Sequence, residues 1–558
     1  MGLALRSLGE GGDTVPYLAP GADDGGWYPR NLSYTTHRTY FPGHQRHPGY
    51  IPRTSVPFPI SPLIPLRYPL RATCGCLFAG VLLYGASPAI CAPLRFTSFG
   101  SLFTLHSFSP ASSSVKFTSL GRSNHSPSLP APIPSSPMNC FFRLPLVTLG
   151  VLALQAAGIA AEAPRLTDWP AWRGPRADGV ADGHNLPVQW SPTNNIQWSV
   201  KLPGWGTSSP VVRGDKVYVT SEVTTEGAKS LLTLCYDRQS GRELWRHDFG
   251  FGSNQRTHAK SNLASNTPAV TEDALYVAFG NADIARYSHD GKLAWVTRYP
   301  AKFGDPKMAW GYNVSPLVLD DSVLFSWDHH TGPCYVIGLD GKTGAIAWQK
   351  DRPIGTAHAT PLRVKHHGQE DLLVPGKNRL TAYDTATHKE LWQYGEGAGP
   401  YNGEIISSPV YADGVVYLQL WRQSAIHAIR LRGDGKPPET VWINDKPGPV
   451  EPSLLYYRGL LYVLKDNGVL VCLDGKTGLE KYRERLGEGE CNSSPVASDG
   501  KIYVSNIKGT TFVIRAGETF EVLATNELGE RLTASPAISG DALIYRTDSQ
   551  LFCIGMTR

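Results

Sequence analysis

Cysteine is scarce in this chain, and no two cysteines are adjacent. Nine are spread over 558 residues, and five of them, Cys235, Cys334, Cys472, Cys491 and Cys553, follow residue 161. No Cys-x-x-Cys-His sequence is present, which excludes a covalently attached haem. Because Cys235, Cys472 and Cys553 occupy the same place in three sequence repeats, we expect them to be small apolar filler rather than disulfide partners.

Common catalytic motifs and a basic surface are also absent. The sequence contains no Gly-x-Ser-x-Gly nucleophile elbow and no His-Glu-x-x-His zinc motif. The whole chain has a formal net charge of +5, but residues 162–558 hold 42 basic and 44 acidic residues, a net charge of −2. No basic stripe remains in that part, so we expect no nucleic-acid partner.

The first 137 residues lack the periodicity of a folded domain. They are rich in Pro, Ser, Gly and aromatic residues, and their apolar segment 74–84 is too short to span a bilayer. From Met138 the pattern changes to Arg143, an apolar run over 144–157 and then small residues up to Ala163. That order is typical of a secretory signal peptide.

We therefore predict three parts. Residues 1–137 are a disordered extension, or result from a translation start assigned too far upstream. Residues 138–161 are a signal peptide that begins at Met138 and directs export to the periplasm or the exterior, and residues 162–558 form the exported domain. No cysteine stands at a lipoprotein cleavage site, so we expect neither a lipid anchor nor a transmembrane anchor in the exported domain.

What the sequence does contain is one unit in eight copies. Its clearest copy, residues 470–506, has an apolar run, an Asp-Gly-x-x-Gly turn, an aromatic residue eight positions after the Asp, a Ser-Pro dipeptide and another apolar run. A period of about 40 to 50 residues with four short strands per copy is typical of a β-propeller blade. The proline recurs after 58, 48, 45, 48, 43, 43 and 41 residues, as Pro210, Pro268, Pro316, Pro361, Pro409, Pro452, Pro495 and Pro536.

These copies predict an all-β fold, an eight-bladed β-propeller of four-stranded antiparallel blades. The second strands, such as 216–219 and 460–463, are near-continuous apolar runs, as expected where both faces of a sheet are covered. The eighth copy has no fourth strand after residues 551–554, whereas residues 196–200 have the spacing of a fourth strand and precede the first copy. We expect that N-terminal strand to complete the last blade, because the pairing removes two open sheet edges.

One large aromatic residue near the end of most repeats is the second recurring feature, after the proline. A tryptophan packed between neighbouring blades buries a large apolar area and has one N–H group to satisfy. We interpret these residues as structural docking residues rather than as cofactor contacts. They are Trp198, Trp245, Trp295, Trp348, Trp392, Trp442 and Tyr482.

The segment before the repeats carries a family resemblance together with them. Residues 169–175 read Trp-Pro-Ala-Trp-Arg-Gly-Pro, and Asp178-Gly179, Leu186-Pro187 and Trp190 follow. With eight degenerate copies of Ser-Ser-Pro and Asp-x-x-Thr-Gly-x-x-x-Trp, the chain from Asp168 to its end resembles the PQQ-binding-like β-propeller repeat proteins. These belong to the quinoprotein alcohol dehydrogenase-like superfamily and are related to the BamB-type outer-membrane assembly propellers.

The resemblance implies a fold, but one propeller hosts both enzymes and binding platforms. In quinoprotein dehydrogenases of this superfamily, pyrroloquinoline quinone is held by a disulfide between adjacent cysteines, a stacking Trp and a calcium ion with carboxylate and amide ligands. This sequence has no adjacent cysteines and only about 50 residues per blade over 162–558, which leaves little loop length to enclose a quinone.

Three functions remain open at this point. We expect a non-catalytic, BamB-like binding and scaffolding propeller that is monomeric and needs no cofactor or metal. The alternative is a dehydrogenase of alcohols or sugars that depends on PQQ and calcium. A hydrolase or lyase built on the same face is the third function, and no motif supports it.

In a propeller the loops that lead into each first strand, and those that join second to third strands, gather on one face, here called the funnel face. Such loops commonly carry function. Here they are rich in aromatic, amide, His and Glu side chains, which is typical of a surface that binds a peptide or a glycan. We therefore expect an envelope protein or a glycan to bind there. The candidate residues are Trp205, Asn266, Trp310, Tyr312, Asn313, His329, His358, Tyr401, Asn402, Glu404, Glu451 and Asn492.

Each candidate also has a structural interpretation. The tryptophans could cap blade packing, the asparagines suit turns, and a lone histidine such as His358 is commonly a hydrogen-bonded structural residue. The adjacent His329 and His330 would point to opposite sides of an extended strand, so we expect no metal site there.

Overall fold

The computed structural model describes residues 167–225, 228–251, 257–304, 308, 311–396 and 403–556. These residues belong to one compact unit. They form eight four-stranded antiparallel sheets, so the predicted eight-bladed β-propeller is confirmed. The predicted extension 1–137 and signal peptide 138–161 lie outside the described residues.

Seven blades use four consecutive strands each, and first strands of neighbouring blades contact one another between blades 1 and 2 and from blade 5 through blade 8 to blade 1. Blades 1 and 2 comprise β2 (Val211–Arg213), β3 (Lys216–Thr225), β4 (Ala228–Asp237), β5 (Glu243–Phe251), β6 (Ala269–Val270), β7 (Leu275–Ala278), β8 (Asp283–Tyr287) and β9 (Leu293–Arg298). Blades 3 and 4 comprise β10 (Leu317–Leu319), β11 (Ser322–Trp327), β12 (Cys334–Asp340), β13 (Ile346–Arg352), β14 (Leu362–His366), β15 (Gln369–Gly376), β16 (Arg379–Asp384) and β17 (Glu390–Tyr394).

The second half of the ring repeats this plan. Blades 5 and 6 comprise β18 (Val410–Ala412), β19 (Val415–Gln419), β20 (Ile426–Arg430), β21 (Glu439–Asn444), β22 (Leu455–Tyr457), β23 (Leu460–Leu464), β24 (Val469–Asp474) and β25 (Glu480–Arg485). Blades 7 and 8 comprise β26 (Val496–Ser498), β27 (Lys501–Ser505), β28 (Thr510–Arg515), β29 (Val522–Glu527), β30 (Ala537–Ser539), β31 (Ala542–Arg546), β32 (Gln550–Ile554) and the N-terminal β1 (Ile196–Lys201).

The ring closes in the predicted way. Strand β1 pairs antiparallel with β32, with Val200 opposite Leu551 and Trp198 opposite Cys553. The outer edge of blade 8 is therefore supplied by a segment that precedes blade 1. A single helical turn, α1 (Pro300–Phe303), follows β9. Within the described part of the chain, no helix has the length and apolarity needed to cross a membrane.

Four docking tryptophans share one contact with the next blade. The indole N–H donates to a carbonyl in the turn between the third and fourth strands of that blade, and the ring lies over a glycine of the same turn. Each of these glycines has a positive φ, and an added Cβ would lie within 2.7 Å of the ring. The N–H bonds run from Trp198 to Arg238 (2.9 Å), Trp245 to His289 (3.0 Å), Trp295 to Gly341 (3.0 Å) and Trp442 to Gly475 (3.0 Å).

The other docking positions depart from this contact. His388 replaces the turn glycine in blade 4, and Trp348 stacks on its ring with centroids 4.2 Å apart, which leaves the indole N–H without a partner. Trp392 is buried but also lacks an N–H partner. Tyr482 packs against Phe520 of blade 7.

A ring of hydroxyl groups links the blades around the axis. In blades 2 to 8 the Ser or Thr at the place before the repeat proline accepts a hydrogen bond from the backbone N–H of the equivalent residue one blade earlier, whereas Ser209 Oγ of blade 1 has no hydrogen-bond partner among the described residues. We call this set the hydroxyl girdle. Its donors and acceptors are Ser209 N to Thr267, Thr267 N to Ser315, Ser315 N to Thr360, Thr360 N to Ser408, Ser408 N to Ser453, Ser453 N to Ser494 and Ser494 N to Ser535, over 2.8–3.3 Å.

The girdle corrects one repeat assignment. In blade 6 the linking hydroxyl belongs to Ser453, so the place of the repeat proline is held by Leu454 and not by Pro452. Strand β22 then begins one residue later, as β26 begins one residue after Pro495. Pro452 lies two positions earlier in the loop.

We expect Ser494→Ala to lower the free energy of unfolding by about 1 to 2 kcal/mol, because it leaves the buried Ser453 N–H without an acceptor. Ser494→Thr should be nearly neutral, since threonine holds the same place in blades 2 and 4. Urea denaturation of both variants measures the difference. Equal stability of Ser494→Ala and the unchanged protein would contradict a structural role for the girdle.

A strap, residues 167–183, crosses the axis on the side of the first strands away from the funnel face. Trp169 exchanges two backbone hydrogen bonds of 2.9 Å with Val212 of blade 1. The buried Arg173 guanidinium donates to Pro495 O and Leu454 O, each at 2.7 Å. Burial lowers the pKa of Arg173 to about 10. The strap therefore ties blade 1 to blades 6 and 7 below the axis.

Candidate functional site

A cavity of 280 Å³ occupies the axis on the funnel side. Each of the eight blades contributes a side chain from the loop that leads into its first strand. In every blade that residue lies three positions before the repeat proline, or before Leu454 in blade 6. These residues are Thr207, Ser265, Asn313, His358, Ile406, Glu451, Asn492 and Thr533.

A second ring of lining residues comes from the hydroxyl girdle, one position before the proline. In extended backbone, residues two positions apart lie on the same side, so the two rings both face the axis. The position between them points the other way. The girdle residues in the lining are Thr267, Ser315, Thr360, Ser408, Ser453 and Ser535.

Trp172 of the strap separates this cavity from a second one. Its indole N–H donates to Ser408 Oγ at 3.1 Å, and its side chain lines both cavities. The second cavity has a volume of 410 Å³ and lies between the strap and the first strands of blades 2 to 5. Trp172 therefore closes the axial channel.

The loop between β5 and β6 crosses the funnel to the opposite blades. Lys260 Nζ contacts Glu451 of blade 6 at 3.2 Å and Glu490 of blade 7 at 2.8 Å. Burial raises the pKa of Glu451 in spite of the nearby ammonium, whereas the hydrogen bond from Lys260 lowers the pKa of Glu490. Lys260 thus offsets the one carboxylate among the described cavity-lining residues.

His358 is the most unusual polar group in the cavity. Both of its ring nitrogens are buried, and neither has a hydrogen-bond partner. Burial, with the nearby His330 as a second cause, lowers the pKa of His358 to about 4. The imidazole is therefore neutral at pH 7 and offers one N–H donor and one nitrogen acceptor.

The structure brings together only some of the residues predicted for the site. Asn313, His358, Glu451 and Asn492 line the axial cavity. Trp205 lies at the rim, where the Arg531 guanidinium is 5.9 Å from its ring centroid.

Other predicted residues face the packing between blades. Asn266 is fully buried and donates to Val314 O at 2.7 Å, while Tyr312, His329 and Glu404 are buried outside the cavity lining. Trp310, Tyr401 and Asn402 lie outside the described residues.

Several lining residues were not predicted from the sequence. Lys260 and His258 belong to the longest interval between repeat prolines, 58 residues, and that excess length was the available signal. Trp172 belongs to the motif at residues 169–175, which we interpreted only as a sign of family resemblance and not as part of a site. Nothing in the sequence marked Arg422, on the loop after β19, as a residue that would line the cavity.

The chain matches the family model described as outer membrane protein assembly factor BamB. The match covers residues 228–419 and 419–554, more than half of the 558 residues. The chain belongs to this family. The resemblance to PQQ-binding-like propellers of the BamB type is thereby confirmed.

Among curated proteins, this BamB-family chain is similar to the outer membrane protein assembly factor BamB of Moranella endobia (strain PCIT). The two are 22% identical over 336 residues, which cover 60% of this chain and 71% of the relative.

Two solved structures share the fold of this BamB-family propeller. A europium-containing methanol dehydrogenase superposes with a TM-score of 0.53 at 11% identity, covering 70% of this chain and 98% of the enzyme. The quinohemoprotein alcohol dehydrogenase of Comamonas testosteroni superposes with a TM-score of 0.53 at 13% identity, covering 71% and 82%. Identities this low show a common fold and not a common activity.

The axial cavity of this BamB-family chain does not fit a calcium-held quinone. Calcium takes about six to eight oxygen ligands, commonly including several carboxylates. Glu451 is the one carboxylate in the described lining, and Lys260 already binds it. Within the described ranges, no three His, Cys, Asp or Glu side chains are grouped as metal ligands would be.

Proposed function

We propose that this protein is a non-catalytic scaffold of the cell envelope, which binds a partner protein on its funnel face during outer-membrane protein assembly. The observation that carries the proposal is the convergence of loops from all eight blades around one mouth. Family membership supports it, since the relative from Moranella endobia is named as an assembly factor. The predicted signal peptide at 138–161 would bring residues 162–558 to that compartment.

The rim has the chemistry of a protein-binding surface. The Arg531 guanidinium lies over the Trp205 ring beside the mouth, and Trp and Arg are among the residue types enriched at interface hot spots. Lys260, Glu451 and Glu490 add charges of both signs on the same side. Mixed charge around an aromatic anchor favours a polypeptide partner over nucleic acid.

The proposal predicts a face-specific contact in the native host. A photo-reactive phenylalanine analogue in place of Trp205 should form a discrete adduct with an envelope protein. The matched position is Leu479, which is 68% exposed in the turn between β24 and β25, on the opposite face. An analogue there should give no adduct, and the adducts are resolved by electrophoresis and mass spectrometry.

Deletion of the gene tests whether the protein is needed for outer-membrane protein assembly. Envelope fractions from the deletion strain should contain less folded outer-membrane protein. Expression of the Leu479→Ala variant should restore the amount, and Trp205→Ala should restore less of it. Normal outer-membrane protein levels in the deletion strain, or equal adducts from both faces, would overturn the proposal.

A further inference from the structure

We propose that the axial cavity is a binding site for a small uncharged polyol of about the size of one monosaccharide. This inference goes beyond the proposed function. It concerns the interior of the cavity and not the rim, and it holds whether or not a protein docks on the funnel face.

The hydroxyl girdle supplies unused donors. Each girdle oxygen in the lining already accepts a backbone N–H, as Thr267 Oγ1 and Ser453 Oγ do. The hydrogen of each hydroxyl is then left to donate, and none of them donates to another described protein group. A ring of such O–H groups around one axis calls for a ligand that is rich in acceptors.

The same cavity also has polar atoms without partners, and some of them are acceptors that need a donor. Asn492 Oδ1, Ser261 Oγ and both ring nitrogens of His358 are buried without a hydrogen-bond partner. Asn492 Oδ1 and one nitrogen of the neutral His358 ring are acceptors, whereas the other ring nitrogen is a donor and the Ser261 hydroxyl can act as either. About nine in ten buried polar groups in proteins are paired, so these unpaired atoms around one cavity point to a bound molecule. An oxyanion without a hydroxyl group could accept from the girdle but could not donate to Asn492. A polyol, whose hydroxyls both donate and accept, satisfies both sets.

Charge and shape agree with an uncharged ligand. The carboxylate of Glu451 is offset by Lys260, and the His358 imidazole is neutral at pH 7. Arg422 also lines the cavity, so an oxyanion is the competing ligand class. Trp172 lines the cavity where the strap closes it, and its indole is the largest aromatic group of the described lining. The volume of 280 Å³ is just below the range of about 300 to 1,000 Å³ typical of ligand pockets, which limits the ligand to one ring.

Isothermal titration of the purified protein with glucose, galactose, mannose and N-acetylglucosamine tests the proposal, with phosphate and citrate as the competing probes. We expect saturable binding of at least one sugar and none of either anion. His358→Phe and Asn492→Leu should each weaken that binding by about tenfold, the effect of one or more lost hydrogen bonds.

His184→Phe is the matched control, because His184 is exposed outside the cavity lining. It should bind the sugar as the unchanged protein does. Affinities are compared among variants with equal melting temperatures, and Asn492→Leu on another blade serves if His358→Phe does not fold. No saturable sugar binding, binding of phosphate or citrate instead, or full binding by both cavity variants would each overturn the proposal. Loss of sugar binding with intact Trp205 adducts would leave the scaffold function standing.

Discussion

Trp198→Ala is expected to lower the free energy of unfolding by about 3 to 5 kcal/mol, the usual range for truncating a packed tryptophan. Trp198 is 8% exposed and lies on β1, the strand that completes blade 8. Its N–H donates to Arg238 O of blade 1 at 2.9 Å, and its ring covers Gly241. The change therefore removes the joint between the last blade and the first, and guanidinium denaturation would report the loss.

Trp198→Phe separates the two contributions of this side chain. The phenyl ring keeps part of the buried apolar area and loses the N–H, so it should recover much of the stability lost in Trp198→Ala. Trp348→Phe provides the comparison, because the Trp348 N–H has no partner to lose. If Trp198→Ala cost less than about 1 kcal/mol, the ring would be closed by the strap and by the pairing of β1 with β32 without this contact.

Much of the fold could be predicted because one pattern is repeated eight times. The Ser-Pro dipeptide marks the girdle and the start of each first strand, and the Asp-x-x-Thr-Gly turn marks the third and fourth strands. The strand that closes the ring, residues 196–200, could be predicted because it has the spacing of a fourth strand but no third strand precedes it. The error at Pro452 arose because a proline two positions from the true place, Leu454, satisfied the same spacing.

Only part of the site could be predicted from the sequence. The lining residues stand three positions before the repeat proline, and the structure was needed to show that this position, like that of the girdle, faces the axis. Asn313, His358 and Asn492 stand three positions before the repeat proline and face the axis. Asn266 stands two positions before it, so in extended backbone it points into the packing between blades. Lys260 could not be placed at all, since its contacts with Glu451 and Glu490 depend on how a long loop crosses the ring.

The turn glycines give the second large prediction, and two of them in blade 6 form a matched pair. Gly478 has φ +72° and Gly459 has φ +81°, so alanine is strained at both by about 1 to 2 kcal/mol. An added Cβ would lie 2.7 Å from the Trp442 ring at Gly478 and would meet nothing within 4 Å at Gly459. Gly478→Ala should therefore cost about 1 to 3 kcal/mol more than Gly459→Ala, as overpacking does.

A double-mutant cycle shows whether the extra cost comes from docking. In a Trp442→Ala background the methyl group at position 478 has no ring to meet, so Gly478→Ala should cost no more than Gly459→Ala does there. Denaturant midpoints of the four Trp442 and Gly478 combinations give the coupling energy. If the two changes had independent effects, the Trp442 ring would have to move aside for the added methyl group. The contact between blades 5 and 6 would then depend on the hydrogen bond from the Trp442 N–H to Gly475 O rather than on the fit of ring and glycine.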